Sequence, residues 1–195
     1  PAAGAGRQTR FTLALVRLPG GYVSVDSHLP NALIEAGLRR GTVPGVCGYR
    51  LVRREPAMGR RRADFLLVRD GRRCLVEVKS VTLVETKIAG FPDAPTARGR
   101  AHLEHLIAER RRGGEAMILF VIQRDDVVAF APNRRTDPAF AAALARAARL
   151  GVHVRAVACR VSRRGVRLGP SVPVRLSSAR RCRSVGKSCP PDEMR

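Results

Sequence analysis

Acidic residues are scarce in this chain. Its 195 residues carry 16 Asp and Glu against 37 Lys and Arg, a formal net charge of +21. Most of the cations are Arg; a composition bias explains that preference but not the shortage of acids. Neutralising phosphates releases counterions, so a surface of this kind gains from a polyanionic partner, and DNA is the expected one. Long apolar runs are also missing. None reaches the ~18–20 residues of a membrane helix, and the opening "PAAGAGRQTR" has no signal-peptide pattern. A soluble, cytoplasmic protein with no membrane partner is expected. The five cysteines (Cys47, Cys74, Cys159, Cys182, Cys189) show no CxxC spacing, which argues against a zinc ribbon or a disulfide framework. Cys74 and Cys159 fall in strand-like segments and are expected in the core. His102 and His105 flank Glu104 in a helical stretch. A polar helix face is the expectation there, ahead of a metal site.

Hydrophobic content is 45%, enough for one domain with its own core. Residues 11–17, 22–26 and 48–55 read as strands. "LPNALIEAGLRRG" between them reads as a short helix with Asn31 as its cap and Gly41 at its end. "ADFLLV" and "CLVEVKS" are two strands joined by an Asp70-Gly71 turn. A helix follows over "TARGRAHLEHLIAERRRGG", with Leu103, Leu106 and Ile107 on its apolar side. "AMILFVIQ" (116–123) is a continuous apolar run, as a central strand requires. "VVAFAPN" is another strand. Asp137 and Pro138 open a helix that closes at Gly151, and residues 152–161 and 165–169 form a last hairpin. The helix, three-strand, helix, strand order predicts a mixed α/β domain, a central sheet flanked by helices. It should span residues 9–176, between disordered flanks at 1–8 and 177–195.

In "CLVEVKSVTLVE", residues 74–85, an acid and a base interrupt an apolar strand. Leu75, Glu77 and Lys79 share one face, Val76 and Val78 the other. A tight turn at Asp70-Gly71 pairs residues whose numbers sum to 141, so Leu66 meets Leu75 and Asp64 meets Glu77. Two opposed carboxylates destabilise a sheet unless a cation neutralises them. Mg²⁺ or Mn²⁺ at Asp64 and Glu77 would do so and would also take a phosphate oxygen. Lys79 beside them suits a water-activating or charge-compensating role in phosphodiester cleavage. Glu55 is a candidate further acid. Gln123, ending the neighbouring strand, is a candidate to orient Lys79 or to bind phosphate. Taken alone, Glu-x-Lys is common and is usually a surface ion pair on a half-exposed strand.

Several stretches together resemble the sugar fermentation stimulation protein family: "GRRRADFLL", "CLVEVKSVTLVE", "AGFPDAPTARGRAHLEHL", "MILFVIQR" and "FAPNRRTDPAFAAAL". The resemblance implies a DNA-binding protein linked by name to regulation of sugar (maltose) metabolism, with a PD-(D/E)xK nuclease-like fold. It implies Asp64, Glu77 and Lys79 as the nuclease-like triad, with Glu55 as the upstream acid. A Mg²⁺-dependent DNA endonuclease is the alternative function. Asp93, Arg98, Arg100 and His102 fall in a family block, in which Ala101 stands where a basic residue is expected. Arg98 and Arg100 at a helix start, and Arg60, Arg61 and Arg62 before the Asp64 strand, are candidate DNA contacts. The family's N-terminal OB-like domain, with its "HCPNTGSM"-like segment, has no counterpart here, so a truncated member is expected.

Overall fold

The structure, a computed structural model, describes residues 11–58 and 61–176. A first hairpin pairs β1 (Leu15–Leu18) with β2 (Gly21–Ser24) and leads into α1 (Leu29–Arg40). Next come β3 (Arg50–Arg54), the short ribbon β4 (Ala57–Met58) and β5 (Arg61–Arg62), then β6 (Phe65–Arg69) and β7 (Arg72–Val81). Two further short strands, β8 (Val84–Glu85) and β9 (Ile88–Phe91), precede α2 (Ala97–Arg111). The chain closes with β10 (Glu115–Ile122), β11 (Ala129–Pro132), α3 (Pro138–Arg149), β12 (His153–Ser162) and β13 (Gly165–Ser171).

The main sheet has six strands in the order β13-β12-β10-β7-β6-β3. β10 lies parallel to both β7 and β12, and the outer pairs are antiparallel. All eight residues of β10 are buried, as expected of a strand covered on both faces. One face buries Leu75, Ile118 and Phe120 against Leu103 and Leu106 of α2 and Leu144 of α3. The other buries Val76, Val78 and Leu119 against Ile34 and Leu38 of α1. A second, three-stranded sheet (β11-β9-β8) packs on the first face, where Phe130 of β11 stacks on Phe120 of β10 with ring centroids 4.0 Å apart.

Local chemistry explains most boundaries. Asp70 and Gly71 both take positive φ, 51° and 74°, the geometry that matches the twist of a two-residue hairpin. The ladder that follows pairs Leu66 with Leu75 and Val68 with Arg73, the expected register. Asp137 caps α3 by accepting from Phe140 N, with Pro138 in the first turn. Gly41 ends α1 with a left-handed φ of 67°. Asn31 is not the cap of α1. It lies inside the helix, whose cap position is His28, and its amide is used elsewhere. The hairpin of β8 and β9 was not expected, because each strand is too short to show alternation. Cys74 and Cys159 are buried in the core as expected. The expected flanks at 1–8 and 177–195 lie outside the described residues. Among the described residues no helix is long and apolar enough to cross a membrane.

Candidate functional site

Glu77 sits in the middle of β7 on the α2 face of the sheet. Its side chain is buried, and its two oxygens are treated unequally. Oε1 accepts from Lys79 Nζ at 2.6 Å and meets His102 Nδ1 of α2. Oε2 is buried with no hydrogen-bond partner. Burial works against ionising Glu77, but the His102 contact and Lys79 outweigh it, and its pKa lies below the ordinary value. Lys79 is mostly buried beside it.

Asp64 approaches from the residue before β6. The ladder ends at Phe65 and Val76; at Asp64 the backbone N–H bonds Val76 O, so the residue slips out of register. Asp64 and Glu77 therefore do not meet as a directly opposed pair. Asp64 Oδ2 instead accepts from the backbone N–H of Val78 (2.7 Å), and Oδ1 accepts from Asn31 Nδ2 of α1 (2.8 Å). The acids remain neighbours electrostatically: burial, and then the Glu77 charge, push the Asp64 pKa up.

The other expected residues are distributed differently. Glu55 follows β3 with φ at 46°, and its exposed carboxylate pairs with Arg62 rather than joining Asp64. Gln123 is fully buried, but on the opposite face. Lys79 is level with Phe120 of β10, so Gln123 falls on the alternate side of that strand. It donates to Ser80 Oγ and Asp26 O, and it does not orient Lys79. Arg98 is exposed in the first turn of α2. Arg100 is committed to the buried Asp137 at 2.6 Å, which makes it a brace between α2 and α3. Arg62 is exposed; Arg60 and the side chain of Arg61 lie outside the described residues.

Two residues belong to the site that the sequence reading placed elsewhere. His102 is buried against Glu77 instead of standing on a polar face. Its signal was present: Gly99, His102, Leu103 and Leu106 recur at helical spacing on the buried stripe of α2. Asn31 holds Asp64 across 33 residues of sequence, and no local pattern announces that.

The fit of these residues to a divalent ion rests on Glu77 Oε2 and its neighbour Asp64. Among the described residues no three His, Cys, Asp or Glu side chains gather into a group able to hold an ion. Two carboxylates are nevertheless the usual protein share of a Mg²⁺ site, with water and phosphate supplying the rest. A buried carboxylate oxygen without a donor is the atom such an ion would satisfy.

A family model described as the sugar fermentation stimulation protein RE domain matches residues 28–165. The chain belongs to the sugar fermentation stimulation protein family. A homolog bearing the family name from Moorella thermoacetica is 46% identical over 178 residues, covering 90% of this chain and 77% of that one. One from Chloroflexus aurantiacus is 45% identical, covering 89% of this chain and 67% of that one. A solved structure, that of Pyrococcus furiosus SfsA in complex with Ca²⁺, superposes with a TM-score of 0.81 at 31% identity. It covers 89% of this chain and 76% of that one. Family and fold agree: the six-stranded mixed sheet with its flanking helices is nuclease-like.

Proposed function

We propose that this member of the sugar fermentation stimulation protein family binds DNA and presents a backbone phosphate to a Mg²⁺ or Mn²⁺ ion held by Asp64 and Glu77. The activity would be that of a metal-dependent phosphodiesterase. The observation that carries this reading is Glu77 itself, a buried acid with one free oxygen beside a second acid. A protein that only bound phosphate would gain nothing from two acids there. When bound, the ion would neutralise the acid pair, polarise the phosphate and lower the pKa of a bound water. Lys79 keeps a positive charge beside the phosphate. His102 holds Glu77 from α2, and Asn31 with the Val78 N–H fixes the Asp64 carboxylate. The Ca²⁺ named with the Pyrococcus relative supports a hard divalent cation, since such ions share oxygen ligands. A DNA partner would also imply a cytoplasmic location, and DNA binding would be the route to the sugar fermentation that the family's name records.

A second reading is DNA binding without cleavage. The Lys79 and His102 contacts favour it, because they satisfy Glu77 Oε1 without any metal. One experiment separates the two: labelled duplex, flap and single-stranded DNA incubated with Mg²⁺, Mn²⁺ or EDTA, using wild type and Lys79→Ala. Metal-dependent cleavage by wild type alone supports the first reading. Binding that falls steeply with salt, without cleavage, leaves the second. Absence of binding at low salt removes both.

A further inference from the structure

We propose that a groove on the outer face of the three-stranded sheet binds one unpaired nucleotide, its base on an apolar floor and its phosphate on an arginine rim. In β9, Ala89 faces the core; in β11, Phe130 does. The alternate residues Gly90 and Ala131, level with each other in the ladder, therefore face outward. They give a floor almost without side chains, and Leu83 and Ile88 also line the groove. Its volume is about 390 Å³, within the range of small-ligand sites.

Arg134, Arg135 and Arg175 line the same groove, with Glu85 as its one acid. Arg135 is paired with Glu85, and Arg134 bonds the backbone oxygen of Leu176. Arg175 is exposed and enters no ion pair among the described residues. The combination is selective. An inorganic anion has no use for an apolar floor, and a neutral apolar ligand has none for three arginines. A planar heteroaromatic ring carrying a phosphate uses both, and guanidinium groups also stack on such rings.

The groove lies close to the acid pair along the chain. Leu83 is four residues beyond Lys79, at most about 14 Å away. That separation is within the reach of a strand whose phosphate sits at Glu77 and Lys79, and such a strand would present a base to the groove only if that base were unstacked and unpaired. This step rests on the proposed function and deepens it: the substrate is DNA with an unpaired nucleotide, in preference to intact duplex. A free nucleotide offers the same chemistry, and the test separates the two sources.

The test is calorimetric titration of wild type, Gly90→Val and Arg175→Ala with dAMP, a single-stranded pentanucleotide and a blunt duplex, all without metal. Gly90 has no positive φ, and the nearest atoms a Cβ there would meet are side-chain atoms of Leu83 and Asn133 at 3.6 and 3.7 Å, ordinary contact. A Cβ is accommodated at this position; Gly90→Val adds two methyl groups over the floor, and its melting temperature checks that the strand is kept. The expected result is that Gly90→Val weakens the pentanucleotide by about tenfold and leaves the duplex unchanged. Arg175→Ala should weaken it by a smaller factor. Equal loss for dAMP assigns the groove to free nucleotides; loss for the pentanucleotide alone assigns it to a strand. The proposal is overturned if wild type binds neither ligand at millimolar concentration. It is equally overturned if Arg175→Ala and a folded Gly90→Val bind both as wild type does. Failure of duplex binding or of metal dependence bears on the earlier reading only.

Discussion

Asp137 and Glu77 are both buried carboxylates bonded to a cation, yet the fold uses them differently. Asp137 is saturated. Oδ1 accepts from Phe140 N, and Oδ2 accepts from Thr96 N and from Arg100. Burial opposes its ionisation, but these donors outweigh it and its pKa is lowered. Glu77 is half saturated, with both partners on one oxygen and none on the other. A saturated buried acid is architecture: here it ties the start of α2 to the start of α3. A half-saturated one leaves a buried acceptor unused, and that oxygen is the one the proposed cation would satisfy.

The largest expected effect lies on the architectural side. Asp137→Ala removes the cap of α3 and leaves Arg100 without its acid, so it should cost about 3 kcal/mol in urea unfolding. A loss below about 1 kcal/mol would erase the distinction. Glu77→Gln keeps the volume and an acceptor for Lys79 but loses the charge, so it should cost somewhat less, about 2 kcal/mol. It should instead abolish any rise in melting temperature on adding Mg²⁺ or Mn²⁺. If wild type shows no such rise, Glu77 is structural as well.

The pH dependence sharpens the same contrast. Asp137 and Glu77 have lowered pKa values, so their stabilisation is present above the ordinary carboxylate range and is lost as pH falls through their folded values. Asp64 is raised, so it favours the fold when protonated, and that contribution is lost as pH rises through its folded value. Asp64→Asn should therefore match or exceed wild-type stability at neutral pH without metal, while binding metal more weakly. Unfolding at stepped pH checks both signs. The smallest effect belongs to Glu55→Gln, an exposed position: within about 0.5 kcal/mol in stability, and no change in metal response. A lost metal response there would return Glu55 to the site.

What the sequence disclosed was local. The Asp70-Gly71 turn fixed the hairpin register, and alternation correctly separated Glu77 and Lys79 from Val76 and Val78. Asp137-Pro138 marked a helix start. The losses were of two kinds. Asn31 to Asp64 is a contact between distant segments, and the slip at Asp64 arises where the ladder ends; neither is encoded in spacing. Gln123 was misjudged because its face depends on how β10 registers with β7 in a parallel pair, which no turn fixes. His102 was legible, since its place on the apolar stripe of α2 outweighs its polarity.

Among the described residues β3 is the last strand of the main sheet, and Arg50, Arg53 and Arg54 stand exposed along it, Arg54 paired with Glu35. An open margin invites a second copy to dock strand against strand. Here two such margins would bring like charges together, and that pairing would be opposed by their repulsion. That protection depends on ionic strength, because salt screens it. A polyanion that neutralised these arginines would remove it as well. The cationic surface proposed to meet DNA would thus also work against pairing of one copy with another, and self-association should be sought where that charge is cancelled.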